Sequence, residues 1–429
     1  MLKYKSFYLT FILIITSLFI FTLAVNATGN EPSIGSESAV LIDGDTGQVL
    51  YQKNAHNSMY PASITKLMTA LLAIESLNPE DTITFSEEAI DRVDSGGSRI
   101  GIHPGEELTV NDALHGLLLM SANEIANGLA EETSQSIDTF INDMNSRAKE
   151  LGALNTNFTN PHGLFNEEHQ TTAYDMALIT REIIRHPYFL EIMGHSTYEI
   201  PVTNKSDETR LLYQQHKMLN TKNDLTIYRE DVIAGKVGYT RQSKNTLVTV
   251  SKKGSRTLIA VILRAEANDL YSDTASLLDY GFGEYKQVVL SAADFVNTQP
   301  IQDNGISIGS MELALANDVN LCIPINAEQE HLIYSLDLPV LSEHTLSSHD
   351  WFGNVTLSIG TAELMTLPLQ IKSIVYDAEE SIDNSTSEIT SPIDPVAPEE
   401  NDEKNPWKLL ISFIFIGVIG IIGFVFKII

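Results

Sequence analysis

Apolar residues near the start of the chain cluster in two short β-branched runs, and then change to a helical spacing. Residues 39–42 and 48–51 predict two strands, and the turn signal at residues 43–47 joins them as a hairpin. Beyond Ser63, apolar residues recur every three or four positions, which predicts an amphipathic helix. The chain therefore opens as a hairpin followed by a helical region.

The helical pattern continues through residues 121–185 and then gives way to strands. Thr109 and Thr172 each precede an aspartate by three residues and open apolar helical runs, which is typical of helix N-caps. Residues 246–250 and 258–263 predict strands, and residues 270–280 predict a last helix that ends at Gly281. Strands at both ends of this region enclose helices, so we expect an α/β domain whose sheet is assembled from both ends.

After Tyr285 the helical spacing disappears, and the chain predicts a small all-β domain over residues 286–376. Residues 377–406 follow; they are rich in Asp, Glu, Ser, Thr and Pro, and predict an acidic disordered linker. Solvation accounts for this run of charge more simply than a specific acidic docking site does.

Both ends of the chain are apolar. Residues 1–27 combine two early lysines, an apolar run and a small-residue site, which predicts a cleaved signal peptide, with an uncleaved anchor as the alternative. Residues 407–429 contain an uncharged stretch of spanning length, which predicts a transmembrane anchor, with a buried core helix as the alternative. Together they place the body, including residues 33–285, on the extracellular side of the cell membrane.

Composition excludes some functions. A formal net charge of −29 argues against a nucleic-acid partner, because phosphate binding needs basic patches. The one cysteine, Cys322, has no cysteine to pair with, and its apolar neighbours favour an inert thiol on a buried strand over a redox role.

Three short motifs carry candidate chemistry: Ser63-x-x-Lys66, Ser121-x-Asn123 and Lys236-x-Gly238. Each alone has a simpler interpretation, as a helix cap, a surface lysine, a turn or a solvated charge. Their order along the chain favours an acyl-transfer site. The spacing within the first motif agrees, since residues three apart on a helix share a face, which places the Lys66 amine beside the Ser63 hydroxyl.

The residue types fit that chemistry. Lys66 has to be neutral to act as a base, so it needs burial or a nearby cation such as Lys236. Ser121 is a candidate proton relay, and Asn123 can hold a substrate amide or steady a lysine. Lys236 can attract a substrate carboxylate.

An oxyanion also has to be stabilised during acyl transfer. The backbone N–H groups of Ser63, at a helix start, and of Tyr239, on a strand edge, are the candidates. His162 lies in a loop and is interpreted as structural, because chemistry based on serine and lysine needs no histidine.

With these motifs the chain resembles the serine D-Ala-D-Ala carboxypeptidases, the low-molecular-mass penicillin-binding proteins. The resemblance implies a serine β-lactamase/transpeptidase-like fold, an acyl-enzyme on Ser63, release of the terminal D-alanine from peptidoglycan stem peptides, and acylation by β-lactams. It implies no metal and no cofactor, and it assigns the base to Lys66, the shuttle to Ser121 and substrate binding to Lys236. It rests on residues 39–43, 61–66, 121–123, 160–164 and 280–282.

Two positions depart from the family pattern. Val237 stands where the family has a threonine that binds the substrate carboxylate, and Leu270 and Tyr271 stand where the family tends to carry an arginine. Thr240, Arg241 or Arg264 are the candidates to compensate, and Thr240 is counted among the substrate-binding residues. A weakly active penicillin-binding or wall-binding protein and a β-lactamase are therefore the alternative functions, and protein partners are not predicted.

Overall fold

The computed structural model describes residues 31–93, 96–222, 225–303, 306–339 and 347–377. The predicted signal peptide (1–27), the transmembrane anchor (407–429) and nearly all of the acidic linker (377–406) lie outside these residues. Among the helices that the structure describes, none has the length and apolar character needed to cross a bilayer.

Sixteen strands and eight α-helices occur in the described residues, together with 3₁₀ turns at Ala62–Thr65 and Gln329–His331. In chain order, the strands are β1 (Ser38–Asp43), β2 (Val49–Lys53), β3 (Thr82–Thr84), β4 (Glu107–Thr109), β5 (Thr197–Ile200), β6 (Arg210–Tyr213), β7 (Val232–Thr240), β8 (Lys244–Lys253), β9 (Arg256–Ala265), β10 (Tyr285–Leu290), β11 (Val296–Asp303), β12 (Ile306–Ala314), β13 (Val319–Pro324), β14 (Leu332–Asp337), β15 (Trp351–Ile359) and β16 (Ala362–Tyr376). The helices are α1 (Lys66–Ser76), α2 (Glu87–Asp91), α3 (Val110–Leu119), α4 (Asn123–Ser134), α5 (Ile137–Glu150), α6 (Ala173–Ile183), α7 (Pro187–Met193) and α8 (Asp269–Glu284).

The central sheet has the strand order β2-β1-β9-β8-β7, and every neighbouring pair is antiparallel. It joins the first two strands of the chain to three strands some 200 residues later, so the prediction of a sheet assembled from both ends is confirmed. β7 lies at its edge.

Helices cover both faces of this sheet. Along β1, Val40 and Ile42 join the apolar cluster formed with α1 and α3–α7, whereas Ala39 and Leu41 join a second cluster formed with α8. Successive side chains of a strand point to opposite faces, so a strand buried on both faces reads as an unbroken apolar run, as residues 39–42 do.

Local signals placed two helix starts correctly, those after Thr109 and Thr172. The hydroxyls of Thr109 and Thr172 accept hydrogen bonds from the N–H groups of Asp112 and Asp175, which confirms both predicted N-caps. The predicted end of the last helix at Gly281 is wrong, because α8 continues to Glu284. A Cβ at Gly281 would lie 2.6 Å from Leu41 Cδ2, so this glycine serves the close packing of α8 on the sheet.

The part of the chain that follows α8 is β-rich. Strands β11-β12-β16-β15-β14 form one sheet, and β10 pairs with β13 in another. Inward side chains from both sheets, among them Leu321, Met311 and Leu357, form a third apolar cluster. The sequence indicated most of these strands but missed β11, whose polar and proline-containing sequence lacks an apolar run.

Cys322 lies on β13 and is fully buried, as predicted. Its backbone N–H and C=O pair with the side-chain amide of Gln48, each at 2.8 Å, and its thiol donates to Asp43. Burial, with the Asp43 carboxylate second, raises the pKa of the thiol. The thiol thus belongs to a buried contact between β13 and the first hairpin.

Candidate active site

Ser63 lies on the 3₁₀ turn that leads into α1, and Lys66 is the first residue of that helix. The Nζ atom of Lys66 lies 3.1 Å from the Oγ atom of Ser63. The three-residue spacing therefore brings the amine to the hydroxyl, as the sequence predicted, although the serine is on a 3₁₀ turn and not on the α-helix itself.

Two other oxygens hold the Lys66 amine. Nζ donates to Asn123 Oδ1 at 2.6 Å and to the backbone carbonyl of His162 at 2.7 Å. A neutral amine has two N–H bonds and one lone pair. Since the two shorter contacts can take both N–H bonds, the lone pair can face Ser63 Oγ.

The surroundings of Lys66 favour its neutral form. The side chain is completely buried, and burial lowers its pKa well below the usual value, with the Lys236 cation as a second cause. The carboxylate of Glu124 acts in the opposite direction. A buried lysine next to another cation is an arrangement that produces a general base.

The 3₁₀ turn Ala62–Thr65, here called the nucleophile turn because it carries Ser63, is tightly packed on its neighbours. Ala62 has a φ of 52°, an unusual backbone conformation for a residue with a side chain. A Cβ at Gly163 would lie 1.9 Å from the Ala62 carbonyl oxygen, and a Cβ at Gly238 would lie 2.8 Å from the Ser63 nitrogen. Thr246 on β8 adds a hydrogen bond of 2.8 Å to the Pro61 carbonyl. The two glycines thus allow the 160–164 loop and β7 to pack closely on the turn, and the Thr246 hydroxyl fixes it to β8.

Ser121 lies between α3 and α4 with a φ of 60°. Its Oγ atom is buried and has no hydrogen-bond partner among the described residues. Asn123, two residues later, begins α4 and contacts Lys66. A buried hydroxyl without a partner is costly, and such groups are retained where a ligand or a reaction uses them.

Lys236 lies on the edge strand β7 and is almost completely buried. Its Nζ atom makes one hydrogen bond within the described residues, at 3.3 Å to the Val237 carbonyl. Burial lowers its pKa to about 7. An underpaired cation in this position is suited to an anionic ligand.

The other candidate residues on β7 are placed differently. Tyr239 is exposed and follows Gly238, the residue whose added Cβ would approach the Ser63 nitrogen. The hydroxyl of Thr240 shares a hydrogen bond of 2.8 Å with Ser243 Oγ and accepts one of 3.0 Å from the Ser243 N–H, so it closes the β7–β8 turn. No motif in the sequence marks this role, because it depends on how the β7–β8 turn places Ser243 beside Thr240.

Val237 is partly buried and packs against the second apolar cluster, the one formed with α8 and here called the α8-side cluster. Its side chain lies on the strand face opposite to that of Lys236. Arg264 forms an ion pair of 2.8 Å with Glu37. Leu270 and Tyr271 also belong to the α8-side cluster. Positions 237, 270 and 271 thus take part in apolar packing, and the guanidinium of Arg264 is engaged in an ion pair.

The sequence missed two contributors to the site. The backbone of His162 accepts from Lys66, while its ring accepts from the Leu164 N–H at 3.2 Å. Burial lowers the pKa of His162 well below its usual value, so the ring is neutral. Glu124, buried beside Asn123, is the second contributor, and its position directly after the Ser121-x-Asn123 motif is the signal that could have marked it.

Comparisons of the sequence with known proteins find similar chains of one kind. The sequence profile of a family described as D-alanyl-D-alanine carboxypeptidase matches residues 25–267. The D-alanyl-D-alanine carboxypeptidase DacF of Bacillus subtilis is 37% identical over 257 residues, which are 58% of this chain and 63% of DacF. DacB2 of Mycobacterium tuberculosis, also a D-alanyl-D-alanine carboxypeptidase, is 29% identical over 257 residues, or 58% of this chain and 84% of that protein.

Among solved structures, penicillin binding protein 5 from Haemophilus influenzae matches with a TM-score of 0.65 and 25% identity. The match covers 81% of this chain and 99% of that one, so it includes the β-rich part. The D-alanyl-D-alanine carboxypeptidase DacD from Francisella tularensis has the same TM-score at 21% identity and supports the fold alone.

Proposed function

This chain belongs to the D-alanyl-D-alanine carboxypeptidase family, and from that membership we propose that it removes the terminal D-alanine from peptidoglycan stem peptides through an acyl-enzyme on Ser63. β-Lactams are proposed to acylate the same serine. One observation carries the proposal: a fully buried Lys66 amine lies 3.1 Å from Ser63 Oγ, with its other contacts taken by Asn123 and His162.

Acylation begins when Ser63 Oγ attacks the carbonyl carbon of the scissile peptide bond. The hydroxyl proton moves to Lys66 Nζ as the new C–O bond forms. The oxyanion then accepts hydrogen bonds from the N–H groups of Ser63 and Tyr239. The missing Cβ of Gly238 supports this assignment, since it lets β7 approach the Ser63 nitrogen.

Departure of D-alanine breaks the C–N bond, and the leaving amine needs a proton. Ser121 is the proposed relay from the Lys66 ammonium, because its hydroxyl is buried and unpartnered among the described residues. Water then attacks the ester, Lys66 accepts a proton from that water, and Ser63 recovers its own. Lys236 binds the terminal carboxylate of the substrate in this scheme, since the Thr240 hydroxyl is engaged with Ser243.

The membrane arrangement is also a proposal. We assign residues 1–27 to a signal peptide, 33–285 to the catalytic domain, 286–376 to the β domain, and 407–429 to a C-terminal membrane anchor after the acidic segment 377–406. The catalytic domain then faces the extracellular peptidoglycan. Cell fractionation, with protease added to intact protoplasts, tests this assignment: catalytic domain that is soluble or protected from protease contradicts it.

Three functions are separated by one experiment on the full chain. Membranes containing the protein are incubated with a labelled penicillin and, in parallel, with a peptide ending in D-Ala-D-Ala. We expect durable labelling of the protein by the penicillin and release of D-alanine from the peptide. The label should be absent from Ser63→Ala. Label without release supports a weakly active penicillin-binding protein, and rapid penicillin hydrolysis supports a β-lactamase.

The burial of Lys236 predicts an alkaline limit to activity. With a pKa of about 7, Lys236 is charged below that pH and loses its charge above it. The kcat/KM for a D-Ala-D-Ala peptide is therefore expected to fall about tenfold per pH unit above roughly pH 7. In Lys236→Arg this limb should disappear, because a guanidinium stays charged. An unchanged limb in that variant assigns the titration to a different group.

Threonine at position 237 is expected to improve turnover of the D-Ala-D-Ala peptide by up to about tenfold, the effect of one added hydrogen bond to a charged group. Positions 236 and 237 point to opposite faces of β7, but β7 is an edge strand, so a carboxylate bound along that edge is open to side chains from both faces. Val237→Thr is nearly isosteric, and the side chain is only partly buried, so little stability is lost. Val237→Ala is the matched control for lost packing. If the threonine variant is no faster than the wild type, the valine does not limit carboxylate binding.

A further inference from the structure

Glu124 is a completely buried carboxylate next to the catalytic residues, and the scheme above gives it no task. It follows Asn123 directly in the first turn of α4. One oxygen, Oε1, accepts hydrogen bonds from the N–H groups of Ile100 at 2.7 Å and Gly101 at 3.1 Å. The other oxygen, Oε2, is buried with no hydrogen-bond partner among the described residues.

Two other buried carboxylates of the helical region have side-chain partners, whereas Asp175 on α6, like Glu124, has one buried oxygen without a partner among the described residues. Glu106 is paired with Arg210, and Asp112 accepts from the Tyr198 hydroxyl. Glu124 has no ion-pair partner within the described residues, and burying an uncompensated charge is expensive. The side-chain cation on which it acts is Lys66.

The charges around Lys66 are few. Lys236 is the neighbouring cation, and it opposes a positive charge on Lys66. His162 and His169 also face Lys66, and burial is the main cause of the low pKa of both rings, so they are neutral. Among the described residues, Glu124 is therefore the charged group that favours the ammonium form of Lys66, in addition to the neutral acceptors Asn123 and His162. Lys66 acquires that form at the moment when it takes the Ser63 proton.

Glu124 also positions a segment of backbone. Its two hydrogen bonds hold residues 100 and 101, and the N–H of Asn123 donates to the Ser98 carbonyl at 2.8 Å. Two consecutive residues at the start of α4 thus hold residues 98–101 against the turn between α3 and α4, here called the Ser121–Asn123 corner. Movement of that segment and of the corner is coupled through Glu124.

We propose that Glu124 is a positioning residue for acylation, whose buried carboxylate compensates the charge on Lys66 after proton transfer and fastens residues 98–101 to the Ser121–Asn123 corner. The inference rests on the proposed acyl-enzyme mechanism. The proton leaves Ser63 Oγ and arrives on Lys66 Nζ, and this step moves no proton to or from Glu124.

Two substitutions at Glu124 distinguish the effect of its negative charge from the effect of its hydrogen bonds to residues 100 and 101. Glu124→Gln keeps the length and one acceptor oxygen but removes the charge. The acid limb of the pH profile for acylation by a labelled penicillin is then expected to move down by about one pH unit, with the plateau rate about tenfold lower. Glu124→Asp keeps the charge but shortens the reach to Ile100 and Gly101. It should lower the rate without moving the acid limb.

Controls keep the result interpretable. Glu132→Gln, an exposed change on the same helix, should leave both limb and rate unchanged. Failure of the wild type to acquire label contradicts the proposed function itself. Label in the wild type with an unmoved limb in Glu124→Gln overturns the role of Glu124 alone. Thermal unfolding shows whether the glutamine variant folds. If it does not fold, Glu124→Asp alone is used: this variant keeps the charge, so an acid limb that moves in it contradicts the proposed role of the carboxylate.

Discussion

Acylation of Ser63 by a labelled penicillin is expected to slow by about a thousandfold when Lys66 is replaced by methionine, the scale of a lost general base. Methionine has a similar length and fits a fully buried site, but it cannot accept the Ser63 proton. The acylation rate constant measured by rapid quench tests this expectation. The protein should still fold, although Asn123 Oδ1 and the His162 carbonyl each lose a donor, which together costs a few kcal/mol of stability.

Lys149→Met is the matched control for this change. Lys149 is exposed near the end of α5, and the same substitution there should leave acylation and the melting temperature close to those of the wild type. Ser63→Ala gives the baseline with no label. If Lys66→Met is acylated within tenfold of the wild-type rate, the proton is accepted by some other group and the assignment of the base is wrong.

The second large effect is expected from one added methyl group. In Gly238→Ala the new Cβ would lie 2.5 Å from Thr246 Oγ1, 2.8 Å from the Ser63 nitrogen and 3.1 Å from the Ala62 Cβ. None of these atoms is the end of a flexible chain, so β7 and the nucleophile turn have to separate. Acylation is expected to fall about a hundredfold, because two donors aimed at the oxyanion are displaced from each other.

Acylation kinetics and circular dichroism of the purified variant check this expectation. The near-UV spectrum and melting temperature should indicate a folded protein, since β7 is an edge strand and can shift without opening the sheet. Gly283→Ala is the matched control, because no atom lies within 4 Å of its added Cβ on α8. A wild-type rate in Gly238→Ala means that the close approach of β7 to Ser63 is not needed.

Local features of the chain were predictable because neighbouring residues determine them. The first hairpin, the N-caps at Thr109 and Thr172, and the doubly buried strands β8 and β9 follow from turn chemistry, capping and apolar runs. The pair of Ser63 and Lys66 belongs to this class as well, since a spacing of three residues on one turn is enough to bring their side chains together.

Features that depend on distant segments were not predictable in the same way. Gly281 resembles a helix stop, yet a Cβ there would come within 2.6 Å of Leu41 on β1, so its task is close packing. The carbonyl of His162 became part of the site only because the loop folds over Lys66. Backbone atoms carry no side-chain signature, so no motif marks them.

The residue types available for acyl transfer, and their order, can be read from the sequence, because the motifs and the elements that carry them are local. The protonation state of Lys66 is a property of the folded chain, since it depends on complete burial, on Lys236 from a strand 170 positions away, and on Glu124 from another helix. Electrostatic effects act through space and increase as water is excluded, so they appear only when the chain has folded.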